Sequence, residues 1–286
     1  MADVVRPHPG GGPLSTQALV DRAPVRSVGP GRQGFGHTLR AEWITFWSVR
    51  STVWSTVLLF VLGVGLTTLV CATSADWLAG SGADESPASL VTWGLMIAQI
   101  AAVVLGALTV TSEYGTGMIR TTLAATPRRG AVLAAKALVP AGTLFVVGTV
   151  TAVVGYLAGN AFLDAAGVGV GLSDDGVLRS LLGSGLYMAG LGLLAAAVGL
   201  LVRHTAAALS IVLAVVFVLG NMAFLLPGTW GEWTAKLLPG NAGAGIATPV
   251  SFHQELLSPW TGFAVFCAEV GVILLAGFLV FRRRDA

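Results

Sequence analysis

Six apolar stretches, each close to the length of a membrane-spanning helix, restrict the folds open to this chain more than any other feature. They run over approximately 53–73, 90–111, 137–158, 180–202, 206–226 and 260–281. A helix needs about 20 predominantly apolar residues to cross the hydrocarbon core of a bilayer. No water reaches backbone amides there, so only helices and closed barrels satisfy them, and stretches this long fit helices. Composition agrees: 55% of residues are hydrophobic, 10% are charged and the mean hydropathy is +0.81. A soluble domain carries about a quarter charged residues, and a soluble core of this size could not hide so much apolar surface. The expected fold class is an all-α polytopic membrane protein with six transmembrane helices.

The few charges predict an orientation. Segments after the first, third and fifth stretches carry Asp76, Asp84, Glu85, Asp164, Asp174, Asp175, Glu232 and Glu255, against only Arg179 and Lys236. The remaining bases fall in the N-terminal region, the 112–136 loop, the Arg203-His204 turn and the Arg282-Arg283-Arg284 triplet. Short basic loops stay on the cytoplasmic side, so both termini are expected inside. The net charge of +2 is too small to suggest a nucleic-acid partner. Cys71 and Cys267 both lie in apolar stretches, where a bridge or simple packing is open to them. Cysteines and histidines do not cluster, so no metal site is expected.

Residues 1–36 hold five Pro, seven Gly and four Arg without apolar periodicity. That composition cannot bury enough surface to offset ordering entropy, and it lacks the apolar core of a signal peptide. The expectation is a disordered cytoplasmic tail. Residues 37–52 differ: Leu39, Trp43, Phe46 and Trp47, continued by Trp54, follow helical spacing. Glu42 interrupts them, and Arg50 falls on the apolar stripe, where its stem can lie in lipid while its head reaches water. A Trp-rich amphipathic helix ahead of a span reads as lying in the membrane interface; a first span extended by an aromatic belt is the alternative. The domain reading is therefore a tail at 1–36, an interfacial helix at 37–52 and a six-span domain at 53–286.

The loop at 112–136, SEYGTGMIRTTLAATPRRGAVLAAK, is the one long polar interruption in the middle of the chain. Tyr114 and Met118 are four apart, as are Ile119 and Leu123, which gives a short helix a modest apolar edge. Pro127 disfavours helical geometry at Thr126, and Gly130 permits a change of direction before the next span. The outer segment at 227–259 is long for a structureless connection. Its Trp230, Trp233, Leu237, Leu238 and Ile246 suit short helices dipping toward the membrane, with a loose external loop as the alternative. In the fourth span Gly185, Ala189, Gly192 and Ala196 are spaced for close helix contact.

Phosphate-cradling motifs are missing. Neither Lys136 nor Lys236 ends a G-x-x-x-x-G-K-[ST] loop, and no G-x-S-x-G elbow frames a nucleophile. The chain is not expected to be an enzyme. Its mid-span polar residues are Gln99, Asn221 and Glu269. A charge such as Glu269 costs about 2.5–3.5 kcal/mol at mid-bilayer on insertion scales, so it faces protein, water or a partner. Lining a substrate path and serving as interhelical hydrogen-bond glue are both open readings of the three.

LRAEWITFWSVRSTVW at 39–54, followed one span later by SEYGTGMIRTTLAATPRRGAVLAAKAL at 112–138, resembles the membrane subunit of type-2 ATP-binding-cassette exporters. The likeness covers residue 37 to the C-terminus, apart from the Pro/Gly-rich tail. It implies a permease with six spans, an interfacial helix bearing Leu39, Glu42, Trp43, Trp47 and Arg50, and short re-entrant helices before the last span. It also implies a cytoplasmic coupling helix that docks on a separate ATPase. Carried onto this sequence, the docking residues are Glu113, Tyr114, Gly115, Thr116, Met118, Arg120, Thr121, Pro127, Arg128 and Arg129. Implied partners are a soluble ABC ATPase subunit, a second permease subunit, identical or different, and the lipid bilayer. ATP and magnesium would reside in the ATPase, with no cofactor in this chain. The location implied is a bacterial-type plasma membrane. An ion-coupled secondary carrier and a non-transporting scaffold or sensor subunit are the competing readings.

Overall fold

In the computed structural model the described residues are 34–80, 85–116, 129–250 and 257–284. All regular structure among them is helical. α1 spans Phe35–Ser48, α2 Arg50–Leu78, α3 Leu95–Thr116, α4 Arg129–Ala165 and α5 Val177–Val202. α6, Thr205–Leu225, passes through a π turn at Ala214–Leu219. α7 (Gly228–Leu237), α8 (Pro239–Ala244) and α9 (Pro259–Arg284) complete the chain. Six of these helices are long and apolar enough to cross a membrane, the second counted from Pro87. That is the architecture of a multi-pass membrane protein.

The spans are not equivalent. The most apolar windows of the second span, around α3, and of α5 are each 67% buried within the protein, against 17% for α9. A helix that is hydrophobic all round belongs in the interior, and α5 fills that place by packing on α3, α4, α6 and α9. Small residues make the central crossing possible. A Cβ added to Gly106 of α3 would land on the backbone of Gly192 in α5, and one added to Gly185 would land on Phe145 and Thr149 of α4. Two members of the small-residue series in the fourth span thus serve two different neighbours.

The α5–α6 hairpin is tight, as the near absence of a linker requires. Arg203 takes the left-handed conformation (φ 58°) and closes α5 with a 2.8 Å bond from its N–H to Gly199 O. His204 then opens α6, its Nδ1 accepting from Ala207 N. Cys71 and Cys267 are both free, the first buried and the second exposed.

The amphipathic stripe is divided, which corrects the expected helix at 37–52. α1 ends at Ser48, whose hydroxyl donates to Thr45 O at 2.7 Å, a local bond that competes with the helical ladder. Val49 is extended (φ −87°, ψ 120°), and Arg50 begins a new helix. Leu39, Phe46 and Trp47 pack into the core, whereas Trp43 stays 49% exposed. Arg50 and Trp54 belong to α2 and are exposed.

In the first turn of α5, Arg179 ties down the stretch after α8. Its guanidinium donates to the carbonyls of Gly245 (2.9 Å), Thr248 (3.1 Å) and Pro249 (2.9 Å). Bonds from a charged donor are worth about 1.5–3 kcal/mol each. Arg179→Lys, a point donor that cannot serve three carbonyls in a fixed fork, is expected to raise amide exchange in 239–250 at least ~10-fold. Unchanged exchange there would show that α8 holds its place without the arginine.

Candidate functional site

Three buried charges close the end of the bundle where the 112–136 loop leaves and returns. Lys136 lies about two turns into α4, and only 5% of its side chain is exposed. Its Nζ is 2.9 Å from Glu42 Oε2 of α1 and is also paired with Glu113 Oε1 in the last turn of α3. The two carboxylate side chains are 14% and 13% exposed. A buried ammonium is tolerable only with a close counter-charge, and here it has two. Burial pushes the Glu42 carboxyl above the usual carboxylate range; Lys136 opposes that shift and the like charge of Glu113 adds to it.

The clamp joins three elements. Both stems of the loop are fastened to each other through Glu113–Lys136, and α1 is fastened to them through Glu42. A second set of contacts holds the same end: Thr205 and Thr111 hydroxyls bond at 2.8 Å, and the Arg203 guanidinium lies 4.9 Å from the Tyr114 ring centroid. Glu113 and Tyr114 are thus engaged inside the bundle. Gly115 and Thr116 complete α3, and Arg129 opens α4. Met118, Arg120, Thr121, Pro127 and Arg128 lie outside the described residues.

Within the bundle the structure brings two of the three mid-span polar residues together. Gln99 and Asn221 line one cavity of about 350 Å³ between α3, α5, α6 and α8. Trp93, Met96, Met188 and Phe217 supply much of its apolar wall. The π turn shapes it: Val216 and Phe217 face the cavity, and Asn241 Nδ2 donates to Gly220 O just beyond the turn. Tyr187, deep in the core, donates its hydroxyl to Gly240 O at 3.3 Å and fixes the floor of α8. Glu269 does not line this cavity. It sits on α9, partly buried, with Oε2 enclosed and without a hydrogen-bond partner among the described residues.

Sequence reading passed over Lys136 as a site residue and did not single out Tyr187 or Asn241. For Lys136 a signal existed: a lysine at the edge of an apolar run with glutamates flanking two other runs. For Tyr187 and Asn241 there was none short of the packing itself.

No protein-family model matches the chain, and no curated protein is significantly similar to it.

Proposed function

We propose that the chain is the transmembrane permease subunit of an ATP-driven ABC-type exporter. The loop end of the bundle faces the cytoplasm of a bacterial-type plasma membrane, both termini lie inside, α1 lies in the interface, and α7 and α8 are re-entrant from the outer side. The carrying observation is the Glu42–Lys136–Glu113 clamp. A loop that transmits force from a partner must be stiff at both stems, and this one is cross-braced to a third helix. The likeness of 39–54 and 112–138 to type-2 exporter membrane subunits supports the same reading, and so does the clustering of bases at that end.

Under this reading the residues that would meet the ATPase are fewer than the whole 113–129 stretch. Glu113 and Tyr114 are braced within the bundle and act as the lever's root. Contact falls to the stretch between the stems, with Arg120, Arg128 and Arg129 as its charged groups. Closure of two ATPase subunits on ATP and magnesium would push on the loop, and the clamp would pass that displacement to α1, α3 and α4 together. A second permease subunit would complete the path, and the exported class would be a small molecule, drug or lipid.

The test is joint expression with a P-loop ATPase subunit, sought first among the genes adjacent to this one. Arg128→Glu with Arg129→Glu is expected to reduce ATPase recovered with the permease at least ~10-fold, in line with the cost of like-charge juxtaposition at an interface. Membrane insertion should be unaffected. Full recovery of the ATPase with the double variant would remove the docking assignment.

A further inference from the structure

We infer that the cavity between α3, α5, α6 and α8 is a binding site for an uncharged, largely apolar molecule carrying a hydroxyl or N–H hydrogen-bond donor. It carries three amide side chains, and each has its donor end occupied by backbone. Gln99 Nε2 donates to Met96 O at 2.8 Å, Asn221 Nδ2 to Phe217 O at 2.7 Å, and Asn241 Nδ2 to Gly220 O and Ala235 O at 3.0 and 3.1 Å. The oxygen ends take no described hydrogen bond. Turning the Gln99 amide over would set its oxygen against the Met96 carbonyl, so the acceptor end is fixed by the helix itself.

Gln99 is the decisive residue. It is 7% exposed, lines the cavity, and its Oε1 is buried with no partner among the described residues. A buried carbonyl oxygen without a donor is destabilising, and a ligand donor, met by a small rotation of the side chain, relieves that cost. None of the described residues lining the cavity is charged, so among them an ion would find no compensation. Its volume, about 350 Å³, is at the small end of the roughly 300–1,000 Å³ of small-molecule sites. A whole phospholipid is too large for it. As the substrate site of the exporter the cavity rests on the permease reading; as a ligand site it stands alone.

The experiment uses the full chain in lipid nanodiscs without any ATPase, so failure of the docking assignment leaves it untouched. Benzophenone is the photoprobe, because its excited ketone inserts preferentially into C–H bonds beside methionine sulfur. Labelling is expected at Met96 or Met188. Two competitors of similar shape then compete with it, 4-phenylphenol with a donor and 4-methoxybiphenyl without one. The phenol is expected to displace the label at about tenfold lower concentration, the factor a buried hydrogen bond supplies, although it partitions less into lipid. In Gln99→Leu, labelling should persist while the advantage of the phenol disappears. Absence of label at both methionines, equal potency of the competitors, or an advantage that survives Gln99→Leu would each overturn the site. Should Gln99→Leu fail to fold, the wild-type ratio decides alone.

Discussion

Lys136→Met is expected to destabilise the folded chain by about 3–5 kcal/mol, the cost of leaving buried charge uncompensated. Removing the ammonium strands two carboxylates at 14% and 13% exposure. The neighbours then have three ways to respond: take up protons, draw in water, or separate. Separation frees α1 and unfastens the loop stems. Thermal unfolding of the purified chain in nanodiscs measures the loss. The diagnostic comparison is Lys136→Met combined with Glu42→Gln and Glu113→Gln. Replacing a whole buried ion cluster with neutral groups of similar size is often tolerated or stabilising, so the triple variant should recover most of the stability. Under the proposed function it should still uncouple ATP hydrolysis from transport, because the brace is gone. A single variant as stable as the wild type would mean that the three charges are hydrated rather than clamped.

Gly106→Leu is expected to abolish the folded state altogether. At this point α3 and α5 touch backbone to backbone: the first carbon of any side chain at 106 would fall on the Cα and carbonyl of Gly192. Overpacking a core usually costs about 1–3 kcal/mol because flexible side chains move aside. Here the obstacle is main chain, and yielding means separating the two most buried spans. Close approach of this kind drives helix association in lipid, where no hydrophobic term distinguishes helix from solvent. Size-exclusion profiles of the membrane-extracted protein read the outcome. Gly65→Leu serves as the control, since a Cβ there meets nothing within 4 Å. A monodisperse, wild-type-like Gly106→Leu would refute the crossing.

The spans were legible because bilayer length and amide satisfaction leave hydropathy few alternatives. The division at Val49 was not. No Gly or Pro marks it, and a stripe running from Leu39 to Trp54 fits one helix as well as two. At the break Ser48 bonds backward to Thr45 O and Val49 leaves helical geometry, neither of which the hydropathy pattern marks. The clamp was half legible. Glu42, Glu113 and Lys136 were visible as isolated charges beside apolar runs, but Lys136 and Glu42 are 94 positions apart in the chain, and spacing carries no information at that range. Gln99, Asn221 and Glu269 looked alike in sequence. Packing separated them, because α6 and α3 share a cavity wall and α9 does not.

The π turn at Ala214–Leu219 changes how α6 must be read as a sequence. Its protein-facing residues are Ala208, Val212, Val216, Gly220 and Ala223, nearly every fourth position. In a regular helix of 3.6 residues per turn a four-residue step advances the face by about 40°, so three such steps would carry it roughly a third of the way round. The widened turn takes up that drift as one inserted residue would. The part of α6 after the π turn is therefore one position out of phase with the part before it. Excising a residue from 214–219 would straighten the helix while turning Asn221 away from the cavity, which makes ligand contact a matter of reading frame within a single helix.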